Sequence, residues 1–204
     1  MTKISNVKVY DLDESIIASG YPMRVELGEE SFDEAIIRAK KLARMPSNSG
    51  HGNFLTGIRV SFDIKYPQYL TPQLQRYNFI DIVSSQSKMH RLAKMDIEKC
   101  CNKYTNSVVI KVLKDIQGEY NSCVEQLRNN PKSTLWQQRV YDKYMELISS
   151  LPMGFELTMR VSTNYMQLKN IYNQRKRHKL KEDWGAIMAM IKELPYSEFI
   201  TGKE

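Results

Sequence analysis

The stretch from Gly50 to Arg91, GHGNFLTGIRVSFDIKYPQYLTPQLQRYNFIDIVSSQSKMHR, decides the fold of this 204-residue chain. It begins with a Gly-His-Gly turn, after which the residues from Gly57 to Lys65 alternate strictly between apolar and polar. A period of two predicts a β-strand with one buried face. The residues predicted to be buried are Ile58, Val60, Phe62 and Ile64.

A turn and a short helix are predicted directly after this strand. Pro67 and Pro72 bracket the turn, and Pro72 suits the first turn of a helix. We expect that helix to carry Gln73, Gln75 and Arg76. Three serines follow at Ser84, Ser85 and Ser87. Because arginine and hydroxyl groups both bind oxyanions, an arginine after a rigid strand with hydroxyls close behind predicts a phosphate site.

The rest of the chain adds helices and one more strand. The residues from Val7 to Met23 fit a strand followed by a turn or a short helix. Ser31 or Asp33 is then expected to cap a helix, since small and apolar residues recur at helical spacing after them. A second alternating strand runs from Phe155 to Ser162, with Phe155, Leu157, Met159 and Val161 on its apolar side. Further helices are predicted over Lys88–Tyr104, Ser107–Leu127, Thr134–Leu151, Asn164 to Gln174 or Arg175, and Lys181–Leu194.

The composition favours one globular domain with anionic partners. Hydrophobic residues make up 42% of the chain, and the formal net charge is +7. We expect a single α+β domain over residues 1–204, with its positive charge attracting nucleotides, phosphate-bearing cofactors or nucleic acid.

The sequence does not favour a membrane protein, a secreted protein or a metal-binding protein. The chain has no apolar run long enough to cross a bilayer, and its first residues do not open a signal peptide, so we expect a cytoplasmic protein without membrane association. The cysteines are odd in number and lack metal-ligand spacing, so we expect reduced thiols and no bound metal. The cysteines and the scattered histidines are Cys100, Cys101, Cys123, His51, His90 and His178.

Two segments together resemble the flavin-dependent thymidylate synthases. In that family a Gly-His turn precedes a strand, and a glutamine lies three residues before an arginine that opens an Arg-His-Arg signature. The signature leads to a serine that binds nucleotide phosphate. Here the turn is Gly50-His51, the glutamine is Gln73, the arginine is Arg76, and Ser87 is the counterpart of the serine.

The second similar segment runs from Leu151-Pro152 to Arg175. The family has Leu-Pro, a strand, two asparagines six residues apart, and an arginine five residues further on. Asn164, Asn170 and Arg175 reproduce that spacing without a gap. The two segments cover roughly a third of the chain, and their agreement in order and spacing supports the resemblance.

The departures from the family pattern affect its nucleotide and flavin contacts. The signature Arg-His-Arg is Arg76-Tyr77-Asn78 here, so one imidazole and one cation are lost. The Gly-Arg after the family serine is Lys88-Met89, with His90 and Arg91 as candidate substitutes. Either the substrate differs, the contacts have been rebuilt, or catalysis has been lost.

The resemblance implies an α+β fold with a small mixed or antiparallel sheet packed against a helical bundle. It also implies a homotetramer with active sites shared between subunits. FAD would be the cofactor, and deoxyuridine monophosphate (dUMP) the substrate. The one-carbon unit would come from methylenetetrahydrofolate, with hydride from reduced flavin and NADPH reducing the flavin. Such enzymes need no cysteine nucleophile.

The resemblance also assigns roles to individual residues. The residues implied to contact FAD are His51, Arg76, Tyr77, Asn78, Asn164 and Asn170. Those implied to contact the substrate are Gln73, Arg76, Ser87 and Arg175. Arg175 is the catalytic candidate because polarising a uracil carbonyl calls for a fixed cation. On a regular helix Asn164 and Arg175 would share a face but lie about 16 Å apart, so one compact group cannot contact both.

Purely structural roles for these residues, and other functions for the protein, stay open. Asn164 and Ser87 both suit helix N-caps. The basic run from Arg175 to Lys181 is typical of a solvated surface, and no nucleic-acid-binding motif accompanies it. One alternative is a relative that installs another group, such as a hydroxymethyl, on a pyrimidine. Another is a catalytically silent protein that binds nucleotide or nucleic acid.

Overall fold

A computed structural model describes residues 1–27, 30–47 and 49–202, without the side chain of His90. The chain forms two compact units. The helical unit contains Met1, Tyr66–Thr71 and Ser85–Thr158, and the sheet unit contains Thr2–Lys65, Pro72–Ser84 and Met159–Glu204. The prediction that residues 1–204 act as a single domain stays a prediction.

Within the described residues, four strands form one sheet in the order β1-β2-β4-β3. The strands are β1 (Lys3–Tyr10), β2 (Arg59–Pro67), β3 (Asp81–Ser85) and β4 (Glu156–Asn164). In the antiparallel pairing of β1 with β2, Lys3 lies opposite Lys65 and Tyr10 opposite Arg59. An irregularity near Asn6, whose φ is +51°, shifts the register by disrupting the ladder. The sheet is antiparallel, and the α+β prediction is confirmed.

The helices account for most of the remaining described residues. In chain order they are α1 (Leu12–Ala18), α2 (Phe32–Arg44), α3 (Thr71–Leu74), α4 (Lys88–Arg91), α5 (Ile97–Cys100), α6 (Ser107–Asn129), α7 (Thr134–Ser149), α8 (Tyr165–Arg175), α9 (Lys181–Glu193) and α10 (Glu198–Thr201). Short 3₁₀ turns lie at Tyr21–Met23, Asn53–Thr56, Gln68–Leu70 and Leu92–Lys94. Within the described ranges, we find no helix with both the length and the apolar character that a bilayer crossing demands.

The two strands predicted from alternation both form. In β2, Val60, Phe62 and Ile64 are buried, as the period of two predicts. In β4, Met159 and Val161 are buried in the same way. The buried face of the sheet therefore follows from local sequence. Glu156 departs from the pattern, because it is buried and pairs with the amino group of Met1.

Helix caps fix the beginnings of the long helices. Ser31 caps α2 in a capping box with Glu34, where each side chain bonds the other residue's backbone N–H. Asn164 caps α8, because its side chain accepts a hydrogen bond of 2.8 Å from the backbone N–H of Gln167. The N-cap interpretation of Asn164 is thus confirmed, and the cap holds α8 at the end of β4.

The core of the helical unit forms where α6 and α7 pack on each other and on shorter segments. Its buried cluster comprises Leu92, Ile97, Leu113, Ile116, Leu147 and Phe155. The three cysteines, Cys100, Cys101 and Cys123, form no disulfide with one another. Cys101 lies just outside α5 and pairs with Phe155 in an isolated β-bridge, so it is not helical.

Two local predictions are wrong, and one segment forms a strand that was not predicted. The helix expected over Lys88–Tyr104 is broken, because α4 ends at Arg91 and Asp96 caps the separate helix α5. The serine-rich segment forms β3, whose residues are all exposed. Helix α3 ends at Leu74, so Gln75 and Arg76 lie beyond it.

Candidate functional site

The two segments that carry the sequence resemblance meet through Tyr77 and Arg175. Nε of Arg175 donates a 2.7 Å hydrogen bond to the hydroxyl oxygen of Tyr77. The same hydroxyl donates to Oε1 of Gln174 at 3.1 Å. Residues almost a hundred positions apart in the chain therefore share one hydrogen-bonded group. A hydrogen bond to a charged group of this kind contributes about 1.5–3 kcal/mol.

Trp184 completes this arrangement from α9. The guanidinium carbon of Arg175 lies 4.8 Å from the ring centroid of Trp184 and 5.7 Å from that of Tyr77. The two aromatic rings meet edge to face, with centroids 6.3 Å apart. Nε1 of Trp184 donates to Oε1 of Gln73 at 3.1 Å. We call Gln73, Tyr77, Gln174, Arg175 and Trp184 the Arg175 cluster.

Local sequence explains how each element presents its part of the cluster. Tyr77 follows the short helix α3, and its backbone N–H bonds the carbonyl of Leu74 at 3.2 Å. Arg175 is the last residue of α8, where a cation interacts favourably with the negative end of the helix dipole. Trp184 lies in the first turn of α9 and is buried. The cation of Arg175 is thus held between two aromatic rings that are themselves fixed by packing.

A cavity of about 650 Å³ lies between the end of α8 and one face of α9. We call it the basic cavity. Its cationic side chains are Arg175, Lys176, Arg177, Lys181 and Lys192, and its carboxylate is that of Glu193. Trp184, Met188 and Ala189 supply an apolar surface. Positive charge around an apolar surface suits a ligand that combines anionic groups with a ring system.

His178 also borders the basic cavity. Its ring centroid lies 6.0 Å from that of Trp184. Partial burial lowers the pKa of His178 from its ordinary value, and the nearby charges of Arg175 and Lys179 lower the pKa further. His178 therefore stays neutral over a wider pH range than a free histidine.

His51 borders a different cavity of about 610 Å³, together with Arg38 and Phe54. Its side chain is exposed, and the preceding Gly50 has φ of +77°, a conformation that favours glycine. Arg38 pairs with Glu30 and donates to Oγ of Ser19 at 3.2 Å, so its charge is already partly neutralised. The imidazole of His51 is exposed at this cavity.

The asparagines of the second segment have different environments. Asn164 is buried and its carbonyl oxygen is used in the cap of α8. Asn170 is half-buried, one residue after the buried Lys169. Lys169 donates to the carbonyls of Ala43 and Met45 at 2.7 and 2.8 Å, which ties α8 to the end of α2. Burial lowers the pKa of the Lys169 ammonium.

The remaining predicted site residues are Arg76, Asn78 and Ser87, which are not part of the Arg175 cluster. Arg76 and Asn78 are exposed on either side of the buried Tyr77. Ser87 belongs to the helical unit and is half-buried. Of the residues that the resemblance assigned, the structure brings Gln73, Tyr77 and Arg175 together. Trp184 was missed, because a tryptophan on an amphipathic helix carries no pattern beyond that of a core residue.

The described side chains do not suggest a metal centre. Among the residues with a described placement, no three histidine, cysteine, aspartate or glutamate side chains cluster in a way that could hold a metal ion. The polar groups of the Arg175 cluster are a guanidinium, two amides, a phenol and an indole N–H. The cluster is therefore suited to anions and to polarised carbonyl groups.

Fold and site together define an α+β protein with a cationic, aromatic-lined site. Two crystal structures of flavin-dependent thymidylate synthase (ThyX) from Helicobacter pylori, both in complex with FAD and dUMP, share this fold. Their TM-scores are 0.57 and 0.56 at 16% sequence identity, over 98% of this chain and 95% and 96% of theirs. No family model and no curated protein sequence matches this chain. At this identity the likeness establishes the fold.

Proposed function

We propose that this protein is an enzyme that transfers a one-carbon unit to C5 of a pyrimidine deoxynucleotide, converting dUMP to dTMP with FAD as its cofactor. The contact between Tyr77 and Arg175 carries this proposal. It joins the two segments whose spacing resembles the flavin-dependent thymidylate synthases. It does so within a fold that the H. pylori enzyme shows in complex with FAD and dUMP.

Arg175 is the residue proposed to act on the pyrimidine. Its Nε atom is occupied by the Tyr77 hydroxyl, and its guanidinium lies over Trp184. The hydrogen bonds seen in the described part of the chain use Nε alone, so the two Nη groups can donate to a ligand. A cation held in one orientation stabilises negative charge that develops on a uracil oxygen, at little cost in reorganisation.

Exposed polar side chains support a flavin site in this proposal. His51 is exposed beside a cavity of about 610 Å³, and Arg76 and Asn78 are exposed next to the Arg175 cluster. These groups would hold FAD, together with Asn170. Tyr77 uses its hydroxyl and Asn164 its side-chain oxygen inside the protein, so they would orient neighbouring residues. Bound FAD would supply the hydride.

The proposal includes further partners. Gln73, Arg76 and Ser87 would contact the nucleotide, with methylenetetrahydrofolate and NADPH as co-substrates. A cytoplasmic homotetramer with shared active sites, each subunit acting as one domain, is part of the same proposal. Active sites shared between subunits would explain why the proposed site residues lie on different parts of the chain.

A second function is supported by the changed signature. Tyr77 and Asn78 replace an imidazole and a cation of the family pattern, and the basic cavity offers an anion site. These features would suit a relative that makes another C5-modified nucleotide, such as a hydroxymethyl pyrimidine. They would also suit a silent nucleotide- or nucleic-acid-binding protein.

Absorbance spectra of the purified protein, with and without dUMP, test the proposal. We expect a bound-flavin spectrum that changes when dUMP is added. Colourless protein that also fails to bind added FAD would remove the enzyme proposal and leave the silent binding protein. A bound flavin that responds to another pyrimidine monophosphate and not to dUMP would identify the different substrate.

Arg175→Ala tests the assigned catalytic role. We expect loss of turnover with assembly intact, because the guanidinium lies at the end of α8. The matched control is Arg128→Ala, which removes an exposed arginine from the end of α6. Equal turnover in the two variants would refute the role of Arg175. Arg76→Ala should weaken nucleotide or flavin binding, and an unaltered titration would contradict that assignment.

A further inference from the structure

His178 joins the turn between α8 and α9 to the Arg175 cluster through three contacts. Its backbone N–H bonds the carbonyl of Arg175 at 2.9 Å, directly at the end of α8. Its Nδ1 atom accepts a hydrogen bond of 3.2 Å from the backbone N–H of Leu180. Its ring lies edge to face against Trp184, with centroids 6.0 Å apart. One half-buried side chain therefore contacts both the end of α8 and the beginning of α9.

The hydrogen bond from Leu180 requires a neutral imidazole. A backbone N–H can only donate, so Nδ1 of His178 must carry a lone pair, and the proton of the neutral ring is on Nε2. When His178 binds a second proton, both ring nitrogens become donors and the bond to Leu180 is lost. This contact therefore exists in one protonation state only.

Leu180 connects His178 to the ring on which Arg175 rests. Leu180 is the N-cap residue of α9, and its side chain makes no cap hydrogen bond. Its carbonyl accepts the backbone N–H of Trp184 at 3.1 Å. The ring centroid of Trp184 in turn lies 4.8 Å from the guanidinium carbon of Arg175. Loss of the bond between His178 and Leu180 therefore loosens the first turn of α9 and the support of the guanidinium.

Charge repulsion adds a second effect of protonation. Partial burial lowers the pKa of His178, and the charges of Arg175 and Lys179 lower it further. The interaction is mutual, so a protonated His178 repels the guanidinium of Arg175. Of the nearby carboxylates, that of Asp183 is buried and accepts from the Thr2 hydroxyl at 2.7 Å. The other charged or titratable groups on the surrounding elements are Lys176, Arg177, Lys181, Glu182, Lys192, Glu193 and Tyr77.

We propose that His178 is a positioning residue for Arg175 and holds it only in the neutral form, so that the turn between α8 and α9 is a pH-dependent latch. The latch is closed when His178 is bonded to Leu180. The expected effect on turnover rests on the proposed function. The expected effect on the orientation of Arg175 does not, so each can be refuted separately.

Two substitutions separate the hydrogen bond of His178 from its titration. His178→Asn keeps an acceptor, because an asparagine side chain can bond the backbone N–H two residues further on, and it does not titrate. His178→Leu removes the acceptor at every pH. We therefore expect the latch to stay closed in acid in His178→Asn and to be open at neutral pH in His178→Leu. His51→Asn makes the same change at the other cavity and serves as the control.

Trp184 fluorescence reports the protonation of His178. The chain has two tryptophans, and Trp136→Phe leaves Trp184 as the single one. In that background we expect the emission of Trp184 to change in one step as the pH falls from about 8 to about 5. The midpoint should lie below 6.5, because the pKa of His178 is lowered from that value. His178→Asn should abolish the step and His51→Asn should keep it. A step of equal size in His178→Asn would overturn the proposal.

The Nε–H proton of Arg175 reports the latch itself, because it donates to the Tyr77 hydroxyl at 2.7 Å. Its NMR signal is assigned by its loss in Arg175→Lys. We expect its protection from solvent exchange, corrected for the intrinsic pH dependence, to fall about fivefold between pH 7.5 and pH 5.5, as for one lost hydrogen bond. His178→Asn should keep full protection at pH 5.5, and His178→Leu should have low protection at pH 7.5. Protection that depends neither on pH nor on residue 178 would overturn the proposal.

Turnover distinguishes failure of the latch from failure of the proposed function. We expect kcat of the parent, relative to that of His178→Asn, to fall about tenfold between pH 7.5 and pH 5.5 while the ratio of the KM values stays constant, because a displaced cation costs rate more than binding. A constant kcat ratio in active protein would overturn the positioning role of His178. Protein without turnover at any pH would refute the proposed enzyme, and the Nε–H signal of Arg175 would then decide the latch alone.

Discussion

Tyr77→Phe separates the positioning of Arg175 from the packing around it. The substitution removes the hydroxyl that bonds Nε of Arg175 at 2.7 Å and Oε1 of Gln174 at 3.1 Å. The phenyl ring keeps its edge-to-face contact with Trp184. Any change therefore reports on the hydroxyl, since Tyr77 is only 8% exposed and phenylalanine has almost the same shape.

The expected loss of stability is about 2 kcal/mol. The bond to the charged guanidinium contributes about 1.5–3 kcal/mol and the bond to the neutral amide about 1 kcal/mol. Arg175 is half-buried and Gln174 exposed, so water replaces part of both interactions and the net loss is smaller than the sum of about 2.5–4 kcal/mol. Denaturant unfolding measures the change, with Tyr141→Phe on the exposed face of α7 as a control expected within about 0.5 kcal/mol of the parent.

Turnover provides the second readout. A catalytic cation displaced by about 1 Å loses on the order of a hundredfold in rate, so kcat should fall much more than substrate affinity. If Tyr77→Phe changes neither unfolding nor turnover, the hydroxyl does not position Arg175. If unfolding changes and turnover does not, Tyr77 has a structural role only, and the role proposed for Arg175 loses its main support.

Three other substitutions test the helices and one histidine. Gly118→Ala, in the interior of α6 where an added Cβ meets no atom within 4 Å, should stabilise the protein by about 0.8–1 kcal/mol in denaturant unfolding. Asn164→Ala removes the cap bond to Gln167 and should destabilise by about 1 kcal/mol in the same assay. The pKa of His178 is lowered in the folded state, so the unfolded chain binds a proton that the folded chain does not. Stability should therefore decline as the pH falls below about 6.5, and His178→Gln should remove that part of the urea-midpoint dependence.

The parts of the fold that could be predicted are those with a local cause. Alternation in β2 and β4 identifies their buried faces because a strand turns every second side chain toward the core. The end of α8 at Arg175 was predicted as well. These features depend on a few neighbouring residues, which a sequence displays directly.

Some features could not be predicted because they depend on strand pairing between distant segments. Others depend on a competition between one continuous helix and a break followed by a new helix. Strand β3 is exposed throughout and has no alternation, so pairing in the sheet makes it a strand. In the segment after Lys88, apolar residues at helical spacing suggested one helix. Met95 is extended instead, and Asp96 begins a new helix by bonding the backbone N–H of Lys99.

The geometry of the site could likewise be predicted only where it has a local cause. Helix α8 is regular from Tyr165 to Arg175, so the expected separation of Asn164 and Arg175 by about 16 Å agrees with their positions at its two ends. Periodicity cannot show that Tyr77 reaches Arg175, because that contact joins two distant segments. The family spacing singled out both residues, although it assigned Tyr77 to the flavin.

Tyr77 bears on whether the altered signature still supports catalysis. In the family pattern this position is a histidine, and here it is a buried phenol whose hydroxyl bonds within the protein. The phenol holds Arg175 through Nε, and the same bond stabilises the packing of Arg175 against Trp184. This hydrogen bond is therefore expected in a rebuilt site and in a silent one alike. The dependence of turnover on the Tyr77 hydroxyl decides between them.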